Sequence, residues 1–257
     1  GAGDDIVFID QAIQATSATS PGDVLSGGTG TDTLSAATAT LDSHATTTTV
    51  SGFEEINITD EHSGSLDVAD FGTGITTVTL AAGAHSGNAG DISFNAGTSV
   101  LNIKDVNDGD LTLTVAGTAT TDSLTINLTD STNVDVFSNE AITTTEIENI
   151  TLNTTHAGST ATAQDITTLS MTANTGGVTK LTIIGSNALA LDAVTANTID
   201  ASGATGAITQ STNMVGTASG TNVLKGGSGA DTLVGDTDDT TNIDGNGGND
   251  NLTGGSD

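Results

Sequence analysis

Gly226-Gly227-Ser228-Gly229-Ala230-Asp231-Thr232-Leu233-Val234 reads G-G-x-G-x-D-x-L-x, a nonapeptide unit that winds a parallel β-roll. Glycines let the backbone turn tightly and direct carbonyl oxygens inward. The Asp adds a hard anionic oxygen, the donor that calcium prefers. Leu233 is then the apolar residue of a short strand that faces the core. A second full copy is Gly27-Gly28-Thr29-Gly30-Thr31-Asp32-Thr33-Leu34-Ser35. Gly1-Ala2-Gly3-Asp4-Asp5-Ile6-Val7-Phe8 lacks only the leading Gly, and Gly245-Asn246-Gly247-Gly248-Asn249-Asp250-Asn251-Leu252-Thr253 carries Asn at the second position. Each copy is followed at the right offset by Leu or Val.

A β-roll turn is made of two such units. Positions two units apart then share an edge, and positions one unit apart lie on opposite edges. Asp5 and Asp23 are two units apart, so one edge is expected to hold both, with Asp32 on the other. Asp231 and Asp250 are separated by two units and one extra position. They are expected to share an edge, with the insertion in the acidic loop Asp236–Asp239. The candidate calcium ligands are Asp5, Asp23, Asp32, Asp231 and Asp250. Carbonyls of the adjoining turns at Gly1, Gly3, Gly28, Gly30, Gly227, Gly229 and Gly248 complete the set. Asn222 stands where a half-repeat would place its Asp.

Charge points the same way. The chain of 257 residues carries 32 acidic residues against three basic ones, Lys104, Lys180 and Lys225, for a net charge of −29. Phosphate neutralisation needs Lys and Arg, so this balance argues against nucleic acid as a partner. It argues equally against anionic membrane surfaces. A folded chain this acidic repels itself unless cations compensate. There is no Cys, so disulfides and thiolate sites are excluded. Nothing resembles a signal peptide or a membrane-spanning helix. The chain opens and closes inside a nonapeptide, which reads as a segment of a longer repetitive protein.

Between the motifs the character changes. Thr, Ala, Ser and Asn dominate residues 36–220, with short apolar alternations at Glu55–Ile58, Thr77–Leu80, Val100–Ile103, Ser123–Ile126, Asn149–Leu152 and Lys180–Ile183. Period-two alternation with β-branched residues predicts half-buried strands. Ile58, Leu80, Ile103 and Ile126 recur at a near-constant spacing, the mark of a solenoid. A longer repeat overlies it. Phe53-Glu54-Glu55-Ile56-Asn57-Ile58 with His62 matches Ile147-Glu148-Asn149-Ile150-Thr151-Leu152 with His156, at one constant offset. The expected organisation is a partial β-roll over 1–35, two solenoid units over 36–143 and 144–220, and a β-roll over 221–257. The fold class is all-β: a parallel β-solenoid with short calcium-binding roll segments at both ends.

These residues resemble the RTX family of calcium-binding proteins, and most closely its surface-layer (S-layer) type. That type joins G-G-x-G-x-D rolls to long Thr/Ala-rich, Arg-poor and Cys-free stretches. The strand starts Gly52–Ile56 and Ile147–Ile150 look like that type as well. The resemblance implies type I secretion, folding on calcium outside the cell, and localisation at the cell surface. Its implied partners are calcium, further copies of the chain in a two-dimensional lattice, and cell-surface polysaccharide. Direct membrane insertion is not implied. The rolls here are short and partly degenerate, which departs from the family pattern of uninterrupted ion rows.

Two other classes compete. An enzyme would need machinery that the chain lacks: there is no H-E-x-x-H, no G-x-S-x-G, no Arg and no Tyr. The four histidines, His44, His62, His85 and His156, are scattered in sequence. Glu54-Glu55 and Glu146/Glu148 read as strand-edge charge or as a calcium contact. The other class is an adhesin, in which a chain so poor in aromatics would be a calcium-stiffened spacer rather than a sugar-binding tip.

Overall fold

The computed structural model describes residues 1–10, 24–42, 49–84, 90–105, 108–129, 136–155, 163–175, 177–212, 214–216 and 221–255. An eleven-stranded parallel sheet contains Ile6–Ile9, Thr33–Ala36, Glu55–Ile58, Thr77–Leu80, Thr98–Ile103, Ser123–Leu128, Asn149–Thr154, Lys180–Gly185, Thr198–Ala204, Asn222–Lys225 and Thr241–Asp244, neighbouring in that order. A nine-stranded parallel sheet contains Gly64–Asp67, Gly90–Phe94, Leu111–Val115, Ser138–Thr145, Gln164–Thr172, Leu189–Thr195, Ile208–Gln210, Thr232–Val234 and Asn251–Thr253. From Glu55 onward the chain alternates between the two sheets, so each coil adds one strand to each. This is a parallel β-solenoid. The first coils instead carry a small sheet that pairs Val24–Ser26 with Thr49–Ser51.

All six strands expected from alternation lie on the eleven-stranded sheet. Leu34, Ile56, Val78, Leu101, Ile126, Leu152 and Ile183 stand opposite one another in consecutive coils and are no more than 1% exposed. One inner column of β-branched and Leu side chains, closed by its counterparts on the second sheet, forms the core. The recurrence needs one correction. Ile126 pairs with Leu101, and Leu128 takes the place opposite Ile103. The fourth strand therefore sits one pleat period away from the place that even spacing assigns it. A slip of a whole period keeps every side chain on its face, so the alternation alone could not reveal it.

Coil length varies widely. The step from Leu181 to its partner Ile199 is little more than half of the step from Leu152 to its partner Ile183. Strand length accounts for little of the difference: Gln164–Thr172 has nine residues and Leu189–Thr195 has seven. The outer face pairs by polar contact: the Nδ2 of Asn57 donates to Ser35 Oγ (3.0 Å), of Asn102 to Thr79 Oγ1 (3.2 Å), of Asn127 to Asn102 Oδ1 (2.8 Å), and of Asn153 to Asn127 Oδ1 (3.1 Å). Strand pairing continues across residues 35/36, 143/144 and 220/221, so the compositional segments share one ladder.

Candidate functional site

A parallel strand begins with a backbone N–H that its own ladder does not satisfy, and a buried N–H without an acceptor is costly. At several strand starts of this solenoid an acidic side chain from the next coil accepts it. Asp5, Asp32, Asp231 and Asp250 each stand immediately before a strand. Asp32 Oδ1 accepts from Asp5 N–H at 2.8 Å, and Glu54 Oε2 accepts from Asp32 N–H at 2.8 Å. On the second sheet Asp231 Oδ1 accepts from Ile208 N–H at 2.7 Å, and Asp250 Oδ1 accepts from Asp231 N–H at 3.0 Å. Asp231 Oδ2 also accepts from Gly227 N–H at 2.7 Å, closing its own turn.

Burial separates these acids. Asp32 is fully buried and Asp231 is 1% exposed, whereas Asp5 is exposed and Asp250 half-buried. Asp32 Oδ2 is buried with no hydrogen-bond partner. It faces Gly27: a Cβ on that glycine would lie 2.8 Å from Asp32 Oδ2 and 1.9 Å from the Gly52 carbonyl oxygen. The leading glycines of the other copies sit in the same way. A Cβ on Gly226 would meet Asp231 Oδ2 at 2.3 Å, and one on Gly245 would meet Asp250 Oδ2 at 2.4 Å. The later glycines meet the coil below: an added Cβ would lie 2.2 Å from the Gly1 carbonyl oxygen at Gly28, 2.4 Å from that of Ala204 at Gly227, 2.7 Å from that of Gly206 at Gly229, and 1.9 Å from that of Gly229 at Gly248. At Gly30 an added Cβ would lie 2.5 Å from the Gly3 carbonyl oxygen. Carboxylate oxygens beside closely stacked carbonyls are the donor set of a hard cation such as calcium.

The structure redistributes the expected edges. Asp5 and Asp32 lie on one edge, one coil apart, because Ile6 pairs with Thr33. That coil takes up three nonapeptide lengths rather than two, so the placement of Asp5 and Asp32 on opposite edges does not hold. Asp23 falls outside the described residues. Asp231 and Asp250 share an edge as their spacing implied, because Thr232 pairs with Asn251. Asn222 is the first residue of a strand and 1% exposed; its Nδ2 donates to Asp236 Oδ2 at 3.0 Å. Its amide is therefore engaged with a carboxylate. The site falls into two groups on different sheets, Asp5–Asp32–Glu54 and Asp231–Asp250. Among the described residues no three Asp, Glu or His side chains converge as a metal cluster, so carbonyls must supply most oxygens of any ion held here.

Sequence reasoning missed the leading glycines Gly27, Gly226 and Gly245 as the surfaces against which the Asp rests. The doubled glycine was the available signal. It also left Glu54 and Glu148 open; both prove to be acceptors for the amide of an Asp one coil before, Asp32 and Asp122 respectively. His62 is fully buried, with Nδ1 3.4 Å from Thr38 Oγ1 and Nε2 3.4 Å from the Asp91 carbonyl oxygen, a packing role. His44, His85 and His156 lie outside the described residues. Elsewhere acidity is crowded: burial, a hydrogen bond with Asp110, and repulsion from Asp110 and Asp108 raise the Glu140 carboxyl above its ordinary range. Asp200 is held below its ordinary range, first by the Ser202 hydroxyl, with Lys225 and Lys180 adding attraction. No helix among the described residues is long and apolar enough to cross a membrane. No family description, curated protein or solved structure matches this chain.

Proposed function

We propose that this chain is a calcium-binding structural segment of a secreted cell-surface protein of the RTX type, which folds on calcium outside the cell and assembles into a surface lattice. The observation that carries the reading is the repeated turn: an Asp before a strand, its carboxylate against a glycine, and carbonyls of the neighbouring coils too close to admit a side chain. The net charge of −29 gives that turn its need for cations. Without calcium, the acidic turns repel and ordering the Gly-rich backbone is entropically unfavourable. Extracellular-type sites fill at roughly 10⁻⁴–10⁻³ M calcium, so they stay empty in the cell and fill outside. Binding free energy then becomes folding free energy.

A second reading has its own support. The coil-to-coil steps along the eleven-stranded sheet, at about 4.8 Å each, make a rod of about 50 Å, a geometry that suits a spacer in an adhesin. Electron microscopy with and without millimolar calcium decides between them. The lattice reading expects ordered sheets that disperse on chelation. Isolated rods in calcium would contradict it and favour the spacer.

A further inference from the structure

We infer that Asp122 and Glu148 form an additional calcium-class cation site in the middle of the solenoid, where no nonapeptide is present.

The two residues occupy the same register position one coil apart, because Ser123 pairs with Asn149. Both are buried, at 2% and 1% exposure. Asp122 Oδ1 accepts from Gly97 N–H at 3.0 Å. Glu148 Oε2 accepts from Asp122 N–H at 3.1 Å, and Glu148 Oε1 accepts from Asn174 N–H at 2.6 Å. Three of the four carboxylate oxygens are thus capped by neutral backbone amides. The fourth, Asp122 Oδ2, is buried and has no partner. No cationic side chain is among these partners. Two carboxylates about one coil spacing apart, both withdrawn from water and hydrogen-bonded by neutral backbone amides, are costly to hold. A hard cation supplies the missing charge and takes the bare oxygen.

The same constellation exists at the first full nonapeptide. There Asp32 Oδ1 accepts from the residue one coil before, Asp32 N–H donates to Glu54, and Asp32 Oδ2 is bare. Glu54 and Glu148 are mates in the long repeat. Asp122-Ser123-Leu124 retains the D-x-L of Asp32-Thr33-Leu34, and Gly117 precedes Asp122 at the distance by which Gly27 precedes Asp32. The intervening glycines are replaced by Thr118-Ala119-Thr120-Thr121. The glycines of the motif are absent here, while the carboxylate pair and its unsatisfied oxygen are present. This inference does not depend on the lattice reading, nor on ions at the nonapeptides.

Native mass spectrometry of the folded chain in calcium tests it by counting bound ions. Asp122→Asn is expected to hold one ion fewer than the unmodified protein, and Glu148→Gln, which retains an acceptor for Asp122 N–H, to lose the same one. An unchanged count in either folded variant overturns the site. Should neither variant fold, crystals of the unmodified chain grown with terbium replace the count. An anomalous peak within ligand distance of Asp122 Oδ2 supports the site, and its absence there overturns it.

Discussion

Gly27→Ala will destabilise the solenoid by about 3 kcal/mol, the upper end of what an overpacked site costs. A methyl group there would stand 1.9 Å from the Gly52 carbonyl oxygen and 2.6 Å from Asp32 Cβ. Neither neighbour is the free end of a flexible side chain. The Gly52 carbonyl belongs to the coil above, and Gly27 N–H itself donates to the Ser51 carbonyl at 3.1 Å, so the coils cannot separate without losing pairing. Gly254→Ala is the matched control, because a Cβ there meets nothing within 4 Å. Urea denaturation of both variants checks the contrast: Gly254→Ala should keep the unmodified midpoint while Gly27→Ala falls well below it. Equal midpoints would mean that the coils are not stacked as described.

The second large effect belongs to Asp231. Replacing it by alanine leaves the N–H groups of Ile208 and Gly227 buried and without acceptors. A buried donor stranded in this way costs about 1–3 kcal/mol, so the pair should cost about 2–6 kcal/mol before any ion is considered. Asp231→Asn retains one carbonyl oxygen and should fall between. Thermal melting in saturating calcium orders the three chains as unmodified, Asn, Ala. Amide exchange adds a local readout: Ile208 and Gly227 should lose protection first in the alanine variant. A melting curve for Asp231→Ala that overlays the unmodified one would remove Asp231 from the turn.

The strands that could be read from sequence were those whose inner and outer faces differ sharply. Glu55–Ile58 and Thr77–Leu80 match the expectation residue for residue, since Ile, Val and Leu alternate there with Asn, Thr and Glu. The partner sheet was harder. Ser138–Thr145 reads SNEAITTT, and its inner position Thr144 is a fully buried polar residue that donates to the Ser170 carbonyl at 3.4 Å. Alternation carries no signal where a hydroxyl packs inward. The helix Thr38–Asp42 and the 3-10 turn Val68–Phe71 are too short for any period to declare itself. The turn is set instead by Asp67, whose Oδ1 accepts from Ala69 N–H at 3.0 Å.

At the candidate site the motif marked four acids that stand directly before strands, but not their company. The pairing of Asp5 with Asp32 depends on a coil of three nonapeptide lengths, where the motif spacing implied two. The pairing of Asp122 with Glu148 was hidden for a different reason. Their partners are backbone amides of neighbouring coils, which no pattern of side chains encodes. The long repeat that relates Glu54 to Glu148 was a visible trace of that arrangement.

On the proposed function, calcium in these turns lets so acidic a chain close into a solenoid. Far-ultraviolet circular dichroism in millimolar calcium, repeated after chelation, tests it most directly. The chain should give a β spectrum with calcium, a largely unordered spectrum with chelator, and recovery when calcium is returned in excess. A β spectrum that persists unchanged in chelator would contradict it.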